Sequence, residues 1–523
     1  MREPYAGPLT RRPASETRIL DPATAFRLKD QPEPQPTAFV ADSLLVRGWH
    51  EETELALTRV ADRAGFALVW DENNDRDLIA GAGLSEADRA AVEEIWVTRV
   101  RLAALETRTD DVFRPIDTWR LLQNFRAEVS DPRRRSDVAL EHPTELSITP
   151  TPYTSGHPYT SGHPYTSGHP YTSGHPYTSG HEYAERQPVS WMGPEPTPAR
   201  PLARSRRPVV VVLDSGVGEH PWLGPAHVDH EPEVLGERIG LESLQTQASQ
   251  TSRKVPDLVG ELGPDAGHGT FVAGLVRQAC PEARILSVRL FRDNGVVDEL
   301  DLLRALQLLC LRQLVAQRPR SGVAPFDVVT MSLGYYHELP EDPAFDPLLR
   351  GPLTLLGRLG VAVVASAGND ATARPCYPAA FAPRKLTPAP RGRVPLSAVG
   401  ALNPDGTIAM FSNDGPWVHH LRAGAGLVST VPTDLDGSLA ATSSLVTSRG
   451  EVRSTMDPDD YSSGFAVWSG TSFSAPLFAG QLAAGLVEPL RRAAGRDRQA
   501  ALARANGALR AMPPRERPRR GSR

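Results

Sequence analysis

The chain has 523 residues, too many for a single hydrophobic core, so roughly two to four domains are expected. Hydrophobic residues make up 40% and charged residues 23%, which is typical of globular domains, whereas 49 prolines and 43 glycines indicate long loops or linkers. The formal net charge of -5 argues against a general nucleic-acid-binding protein, and three cysteines exclude a disulfide framework and fit a reducing compartment.

The N-terminus carries positive charge without an apolar stretch, so we expect no secretory signal peptide. No run of the sequence approaches the roughly 18 apolar residues of a membrane span. These features predict a cytoplasmic protein that binds neither membranes nor nucleic acid.

Residues 1–36 are polar and proline-rich, and we expect them to be disordered. Residues 37–150 predict a small α+β domain whose elements follow the order β-α-β-β-α-β, the ferredoxin-like arrangement. The predicted elements are a strand in 37–49, a helix over 50–65, strands in 66–71 and 95–105, a helix over 115–129 and a short strand in 137–148.

Residues 151–204 predict a flexible linker, which contains five tandem copies of PYTSGH over residues 152–181. A repeat this rich in Pro, Gly, Ser and Thr has too few apolar atoms to build a core. The alternative is a metal-binding array, but nothing in the repeat preorganises its imidazoles, so we favour the linker. The histidines in question are His157, His163, His169, His175 and His181.

Residues 205–490 alternate apolar strands with amphipathic helices, which predicts a doubly wound parallel α/β domain. Ligands of such sheets bind beyond the carboxyl ends of the strands. The predicted strands are 207–214, 283–291, 326–334, 360–368 and 394–402, and the predicted helices are 297–317 and 347–360.

Four short motifs place polar side chains at such strand ends and at helix starts. Asp214 follows the first strand, and His268 stands in GHGT before a helix. Asn369 ends the strand segment ASAGN, and Ser472 opens a helix in SGTSFSAP, where its backbone N–H has no helical partner. Each motif alone is weak, because an Asp after a strand is often a turn former and a His before a helix is often structural.

Together, the four motifs resemble the subtilisin-like serine peptidases, the subtilases, in that family's chain order over residues 205–490. The resemblance implies a serine endopeptidase in which Ser472 is the nucleophile and His268 the general base. It further implies that Asp214 orients the histidine and that Asn369 donates to the oxyanion. A related family with Glu and Asp as acid and base lacks the HGT histidine and this asparagine, so we exclude it.

The chemistry requires residues of these types. A serine hydroxyl is a poor nucleophile until a base accepts its proton, and imidazole suits that task near neutral pH. The resulting imidazolium needs a buried anion, and the tetrahedral oxyanion needs preorganised donors. No cofactor is required for these steps. The alternative function is an inactive, protease-shaped peptide-binding protein, but such a protein would not need all four residues.

The resemblance also implies how a peptide or protein substrate binds. The backbone of Ser332, Leu333 and Gly334 is expected to pair with the substrate, and Cys376 is expected near the base of the P1 pocket, where we predict a medium apolar residue. Tyr335 and Tyr336 are expected to narrow the cleft. One side of the P1 pocket is expected to be lined by Ala365, Ser366, Ala367 and Gly368.

Three further predictions concern the rest of the chain. Many subtilases bind structural calcium, and Asp457, Asp459 and Asp460 are candidate ligands, although we favour a solvated acidic loop. The Arg-rich tail, residues 491–523, is expected to be solvated and frayed. The order of elements in 37–150 is also that of the inhibitory propeptides of this family, which implies that 139–148 lies in the cleft as an intramolecular inhibitor. The alternative is a separate interaction domain.

Overall fold

The computed structural model describes most of the chain, and the PYTSGH copies lie outside the described residues. Within the described part, no helix is both long enough and apolar enough to cross a bilayer. The described residues are 17–28, 31–71, 75–104, 115–146, 186–199, 206–241, 262–263, 265–291, 296–339, 347–384, 392–492 and 495–515.

The first half of the described chain contains short strands and helices. Its elements are β1 (Thr17–Leu20), β2 (Thr37–Val40), β3 (Ser43–Arg47), α1 (Glu51–Ala64), β4 (Phe66–Trp70), α2 (Asp75–Gly81), α3 (Glu86–Ile95), β5 (Val97–Ala104), α4 (Thr118–Glu128), α5 (Pro132–Arg135), β6 (Val138–Leu140), β7 (Pro143–Leu146), β8 (Gln187–Pro188), β9 (Val209–Asp214), β10 (Val228–Asp229), β11 (Glu233–Val234) and β12 (Glu237–Arg238).

Longer helices characterise the second half. Its elements are α6 (His268–Ala279), β13 (Arg284–Arg289), β14 (Val296–Asp298), α7 (Glu299–Gln317), β15 (Val328–Met331), β16 (Leu333–Tyr336), α8 (Arg350–Arg358), β17 (Ala362–Ser366), β18 (Cys376–Tyr377), β19 (Ser397–Leu402), β20 (Val418–Ala423), β21 (Leu427–Thr430), β22 (Ser444–Val446), β23 (Val452–Ser454), β24 (Phe465–Trp468), α9 (Thr471–Arg492) and α10 (Arg498–Ala511).

Seven strands form one parallel sheet in the order β10-β13-β9-β15-β17-β19-β20. The interior strand β9 is buried along its whole length, as expected when helices cover both faces of a sheet. Its alternate residues face opposite cores: Val211 packs in the cluster with α7 and α8, whereas Val210 packs in the cluster with α6 and α9. The predicted parallel α/β fold is therefore confirmed.

Residues 37–146 contribute a four-stranded antiparallel sheet in the order β4-β5-β3-β6. Its core contains apolar residues of α1 and α4. The predicted strand over 37–49 is two strands, β2 and β3, separated by a turn, and the predicted strand over 137–148 is likewise divided into β6 and β7. Two helices that the sequence did not indicate, α2 and α3, lie between β4 and β5.

Part of the N-terminus and part of the linker are ordered, contrary to expectation. Within residues 1–36, strand β1 pairs with β2, and Leu20 reaches the core that contains Phe39. Within residues 151–204, strand β8 pairs with β24, and the ring of Trp191 stacks on Phe465 at 5.6 Å. Aromatic contacts with the second half of the chain therefore hold residues that composition alone assigned to a linker.

The tail over 491–523 is also more ordered than expected. Helix α10 packs against α9, and Ala505 and Leu509 are buried in the core beneath the sheet. Asp497 caps the start of α10 by accepting a hydrogen bond from the Ala500 N–H. This segment is rich in arginine, so the sequence analysis did not recognise that its apolar residues have helical spacing.

Candidate active site

Asp214 and His268 form a buried pair at the carboxyl end of the sheet. The Asp214 Oδ1 atom lies 2.7 Å from His268 Nδ1, and the two side chains are 1% and 0% exposed. The same carboxylate oxygen accepts the Ser215 N–H at 2.8 Å. Trp468 and Phe473 pack against the imidazole ring, at 5.5 and 5.1 Å between centroids. The histidine ring is thereby fixed with Nδ1 towards the carboxylate.

The start of helix α6 brings His268 to this position. Gly267 precedes it with a φ of 76°, a left-handed conformation that glycine adopts without strain. Gly269 touches the turn after β9, since a Cβ at this position would lie 2.1 Å from the Gly216 oxygen. The two glycines of the GHG motif therefore permit the close approach of α6 to the end of β9.

Ser472 lies in the first turn of α9 and is fully buried. Its hydroxyl donates to the Ser332 carbonyl oxygen at 3.3 Å, and the Ser332 hydroxyl donates to the Ser472 carbonyl oxygen at 2.8 Å. Among the described residues, the Nε2 atom of His268 has no hydrogen-bond partner. The serine and histidine are thus not hydrogen-bonded in this conformation, as is common before a catalytic site binds its substrate.

The side-chain oxygen of Asn369 is held by one neighbouring residue. Thr471 donates both its N–H, at 2.9 Å, and its hydroxyl, at 2.8 Å, to Asn369 Oδ1. The Gly368 N–H in turn donates to the Thr471 hydroxyl at 3.2 Å. Sequence analysis did not single out Thr471, although the threonine of the GTS motif was visible beside the serine.

The predicted substrate-binding backbone is paired with a strand from the first part of the chain. In β16, Leu333 pairs with Leu146 and Gly334 with Glu145 of β7. On its other side, β7 pairs with β14, with Thr144 opposite Val297. The edge predicted to bind substrate is therefore occupied by β7, which lies between β14 and β16.

The predicted P1 wall also converges on this edge. Ala365 and Ser366 end strand β17, and Ala367 and Gly368 follow it. A Cβ built on Gly334 would lie 2.6 Å from the Cys376 sulfur, and one built on Gly368 would lie 3.4 Å from it. Cys376 thus lies close to both Gly334 and Gly368. Burial raises the pKa of its thiol to about 12, so the thiol is neutral near pH 7.

Asn413 also contributes to this wall, although sequence analysis did not identify it. Its side-chain oxygen accepts the backbone N–H groups of Asp370 and Thr372, at 2.9 and 3.2 Å. Its amide donates to the Tyr336 hydroxyl at 2.8 Å. Asn413 thereby connects the turn after Asn369 to the second tyrosine of β16, and no local pattern in the sequence indicates such a long-range contact.

The candidate calcium ligands accept local hydrogen bonds. Asp457 accepts the Asp459 N–H at 3.2 Å, and Asp460 accepts the Ser462 N–H at 2.8 Å. Asp459 accepts the Leu439 N–H at 3.1 Å. These carboxylates shape the turns of the acidic loop.

The solved structures that resemble this chain include three proteases. Fervidolysin from Fervidobacterium pennivorans, a keratinolytic enzyme related to subtilisin, is 16% identical over 91% of this chain and 62% of its own, with a TM-score of 0.42. A lanthipeptide protease is 19% identical over 56% of this chain and 78% of its own, with a TM-score of 0.36. The patellamide maturation protease PatA is 22% identical over 57% and 85%, with a TM-score of 0.33.

A family model described as the subtilase family matches residues 205–505, which is more than half of the chain. The match begins at the residue where the α/β domain was predicted to begin and includes all four motifs. It extends beyond the predicted end at residue 490 and into helix α10. The resemblance inferred from the motifs is therefore confirmed, and the chain belongs to the subtilase family of serine peptidases.

Proposed function

We propose that this chain is a serine endopeptidase in which Ser472, His268 and Asp214 act as a catalytic triad. The observation that carries this proposal is the buried 2.7 Å contact between His268 and Asp214, in a member of the subtilase family. The His268 ring also packs against Phe473, the residue after Ser472 in the first turn of α9. Peptides and proteins are the substrates that membership of this family implies.

Each residue has a defined task in this mechanism. The Nδ1–H of His268 donates to Asp214, so Nε2 is the basic nitrogen and takes the Ser472 proton as the oxygen attacks the carbonyl. The oxyanion accepts hydrogen bonds from the Asn369 amide and the Ser472 N–H. The imidazolium then gives its proton to the leaving amine, and water hydrolyses the acyl-enzyme through the same base. These steps need no metal or cofactor.

A substrate is expected to bind as an extended strand between β14 and β16. The position is the one that β7 occupies in this structure, with main-chain pairing on both sides. Backbone pairing accepts many sequences, so preference for particular residues has to come from pockets such as the one beside Cys376.

We further infer that residues 37–146, the N-terminal module, keep the cleft closed. Besides the pairing of β7, Ile95 and Val92 of α3 share one hydrophobic core with Leu302 of α7. Gln307 of α7 donates to the Ile95 carbonyl oxygen at 3.0 Å. Because the module is part of the same chain, its effective concentration at the cleft is high, and even modest affinity favours the closed state.

Mass spectrometry of the products of an unstructured protein substrate tests the activity. The full chain should produce fragments cut at internal bonds, and the Ser472→Ala chain should produce none. Removal of residues only from substrate ends would contradict the endopeptidase assignment.

The inhibitory role of the module is tested by replacing residues 143–146 with Gly and Ser in the full chain. This change removes the Thr144 hydroxyl that bonds to the Val297 carbonyl oxygen and favours flexible backbone over a paired strand, so peptide hydrolysis should become faster. An unchanged rate in a chain that still folds would show that the module has a different role.

A further inference from the structure

His142 of the N-terminal module lies between two carboxylates of the peptidase domain. Its Nδ1 atom is 3.0 Å from Glu299 Oε2, and its Nε2 atom is 3.0 Å from Glu338 Oε2. Its backbone N–H also donates to Glu299, at 2.9 Å. All three side chains are buried, and His142 directly precedes β7.

The residues around His142 can accommodate a planar, positively charged imidazolium ring. Tyr335 stacks on His142 at 4.8 Å between centroids, with 22° between the planes. Ionised carboxylates only accept hydrogen bonds, and a neutral imidazole donates from only one of its two nitrogens. Both ring nitrogens can donate to these carboxylates together only when the ring is protonated.

Of the other groups facing the ring, His337 and Tyr335 are neutral, and Arg126 lies beside Oε1 of Glu338, whereas His142 contacts Oε2. His337 accepts the Leu339 N–H through Nδ1 at 3.0 Å, so in its neutral form it carries its proton on Nε2, 3.0 Å from Glu338. Burial lowers the pKa of His337 to about 3, so it is neutral. Arg126 lies 3.9 Å from the second oxygen of Glu338. Tyr335 is also neutral, because burial raises its pKa.

The carboxylate of Glu141, the residue before His142, binds other partners. It pairs with Arg99 and accepts the Ser43 hydroxyl at 2.6 Å. Asp298 lies 3.7 Å from the same arginine. The positive charge between Glu299 and Glu338 therefore belongs to His142.

A metal ion is the other occupant that such a cluster suggests, since atoms of His142, His337 and Glu338 lie within 4.8 Å of one another. The hydrogen bond from Leu339 argues against it. It places the His337 proton on Nε2, the nitrogen that faces the cluster, and a metal would need the lone pair of that nitrogen. The cluster is thus arranged for hydrogen bonds around a cationic ring.

We propose that Glu299, Glu338 and Tyr335 form a binding pocket for a protonated imidazole, and that His142 in this pocket is the latch that holds β7 in the cleft. The proposal deepens the proposed function and rests on it, because closure of the cleft matters only if the peptidase is active.

The latch has a defined dependence on pH. Burial by itself lowers the pKa of His142, but hydrogen bonds to Glu299 and Glu338 outweigh it and raise the pKa to about 10. In a released tail, the imidazole has its ordinary pKa of about 6.5. The latch therefore acts fully below about pH 6.5, weakens by about tenfold per pH unit above that, and is lost as the pH passes the docked pKa.

Fluorophosphonate labelling of the full chain between pH 7 and 10 measures the open fraction. Comparison with His142→Gln at each pH separates opening of the cleft from the intrinsic pH dependence of the labelling reaction. The wild-type rate should rise by about tenfold per pH unit from pH 8 to 9.5. His142→Gln should be labelled faster than wild type at pH 7 and show no such rise.

Two further variants complete the design. Glu299→Gln should flatten the profile in the same way, and it provides a second route if His142→Gln does not fold. His50→Gln changes a half-buried histidine at the start of α1 in the same module and should retain the wild-type profile.

A wild-type profile that is flat above pH 8, or an equal slope in His142→Gln, would overturn the latch. Faster labelling on addition of a chelator would also overturn it, in favour of a metal.

A readout without catalysis separates this inference from the proposed function. In the Ser472→Ala chain, hydrogen exchange of the backbone amides of residues 144–146, corrected for the intrinsic effect of pH, should be faster at pH 9 than at pH 7. The same comparison in Ser472→Ala/His142→Gln should show no difference. If no chain is labelled at any pH but exchange behaves as expected, the latch stands and the peptidase assignment fails.

Discussion

Thr471 donates two hydrogen bonds to the side-chain oxygen of Asn369, one from its backbone at 2.9 Å and one from its hydroxyl at 2.8 Å. Because both bonds are made to the oxygen, the amide nitrogen of Asn369 is turned to the opposite side. A donor that is fixed before the reaction begins costs no reorganisation when negative charge develops. Thr471 therefore acts as a positioning residue for the proposed oxyanion donor.

This relationship predicts a graded effect on turnover. Asn369→Ala should lower kcat by about 10²–10³ with little change in KM, because the lost hydrogen bond forms chiefly in the transition state. Thr471→Val removes one of two positioning bonds and should lower kcat by about tenfold. Asn403→Ala, in an exposed turn, is the matched control and should leave both constants unchanged. A rise in KM at constant kcat would contradict the assigned role.

Asp214→Asn should lower kcat by about 10⁴. The amide can present an N–H to His268 Nδ1, which favours the tautomer whose proton is on Nε2, and that nitrogen can then no longer accept the serine proton. Steady-state hydrolysis of a chromogenic peptide measures the effect. Circular dichroism should show the same folded content as wild type, and a loss of less than tenfold would remove Asp214 from the triad.

Gly269→Ala should destabilise the fold, because the added Cβ would meet the Gly216 backbone oxygen at 2.1 Å. The backbone at Gly216 cannot move easily, so we expect the free energy of unfolding to fall by about 1–3 kcal/mol or more. Gly507→Ala in helix α10 has no atom within 4 Å of the added Cβ and should instead gain about 0.5–1 kcal/mol. Urea unfolding of both variants measures the contrast, and equal midpoints would show that α6 and β9 are less closely packed.

Thr144→Val should loosen the closed state of the cleft. The buried Thr144 hydroxyl donates to the Val297 carbonyl oxygen at 2.9 Å, and its loss should cost about 1 kcal/mol and raise the open fraction about fivefold. Thr58→Val removes a hydroxyl bond on the exposed face of α1 and serves as the control. Labelling rates at pH 7 provide the comparison, and equal rates for the two variants would show that β7 does not limit access.

The sequence predicted the strands of the parallel sheet well, because buried parallel strands are continuous apolar runs. The four motifs were visible for a similar reason, since each lies within a few residues of a strand end or a helix start. Helices α2 and α3 were missed because they span only 7 and 10 residues, too few for a helical period to be clear. Ile79 and Ile95 are buried in a core that the module shares with the peptidase domain, and such tertiary contacts are not visible in local sequence.

The pocket around His142 could not be predicted from the sequence either. Its two carboxylates are 157 and 196 residues away along the chain, and no periodic pattern connects positions at such separations. A single histidine within a predicted strand has many ordinary explanations. The fold alone places the three side chains in one buried cluster, and the same holds for Asn413 and Tyr336.

The central claim is that Ser472 is a nucleophile activated by His268 and Asp214. Peptide mapping by mass spectrometry after treatment of the full chain with a fluorophosphonate tests it most directly. The account predicts one phosphonyl adduct, on Ser472, in wild type, no adduct in Ser472→Ala, and strongly slowed labelling in His268→Ala. An adduct on another residue, or undiminished labelling of Ser472→Ala, would contradict the account.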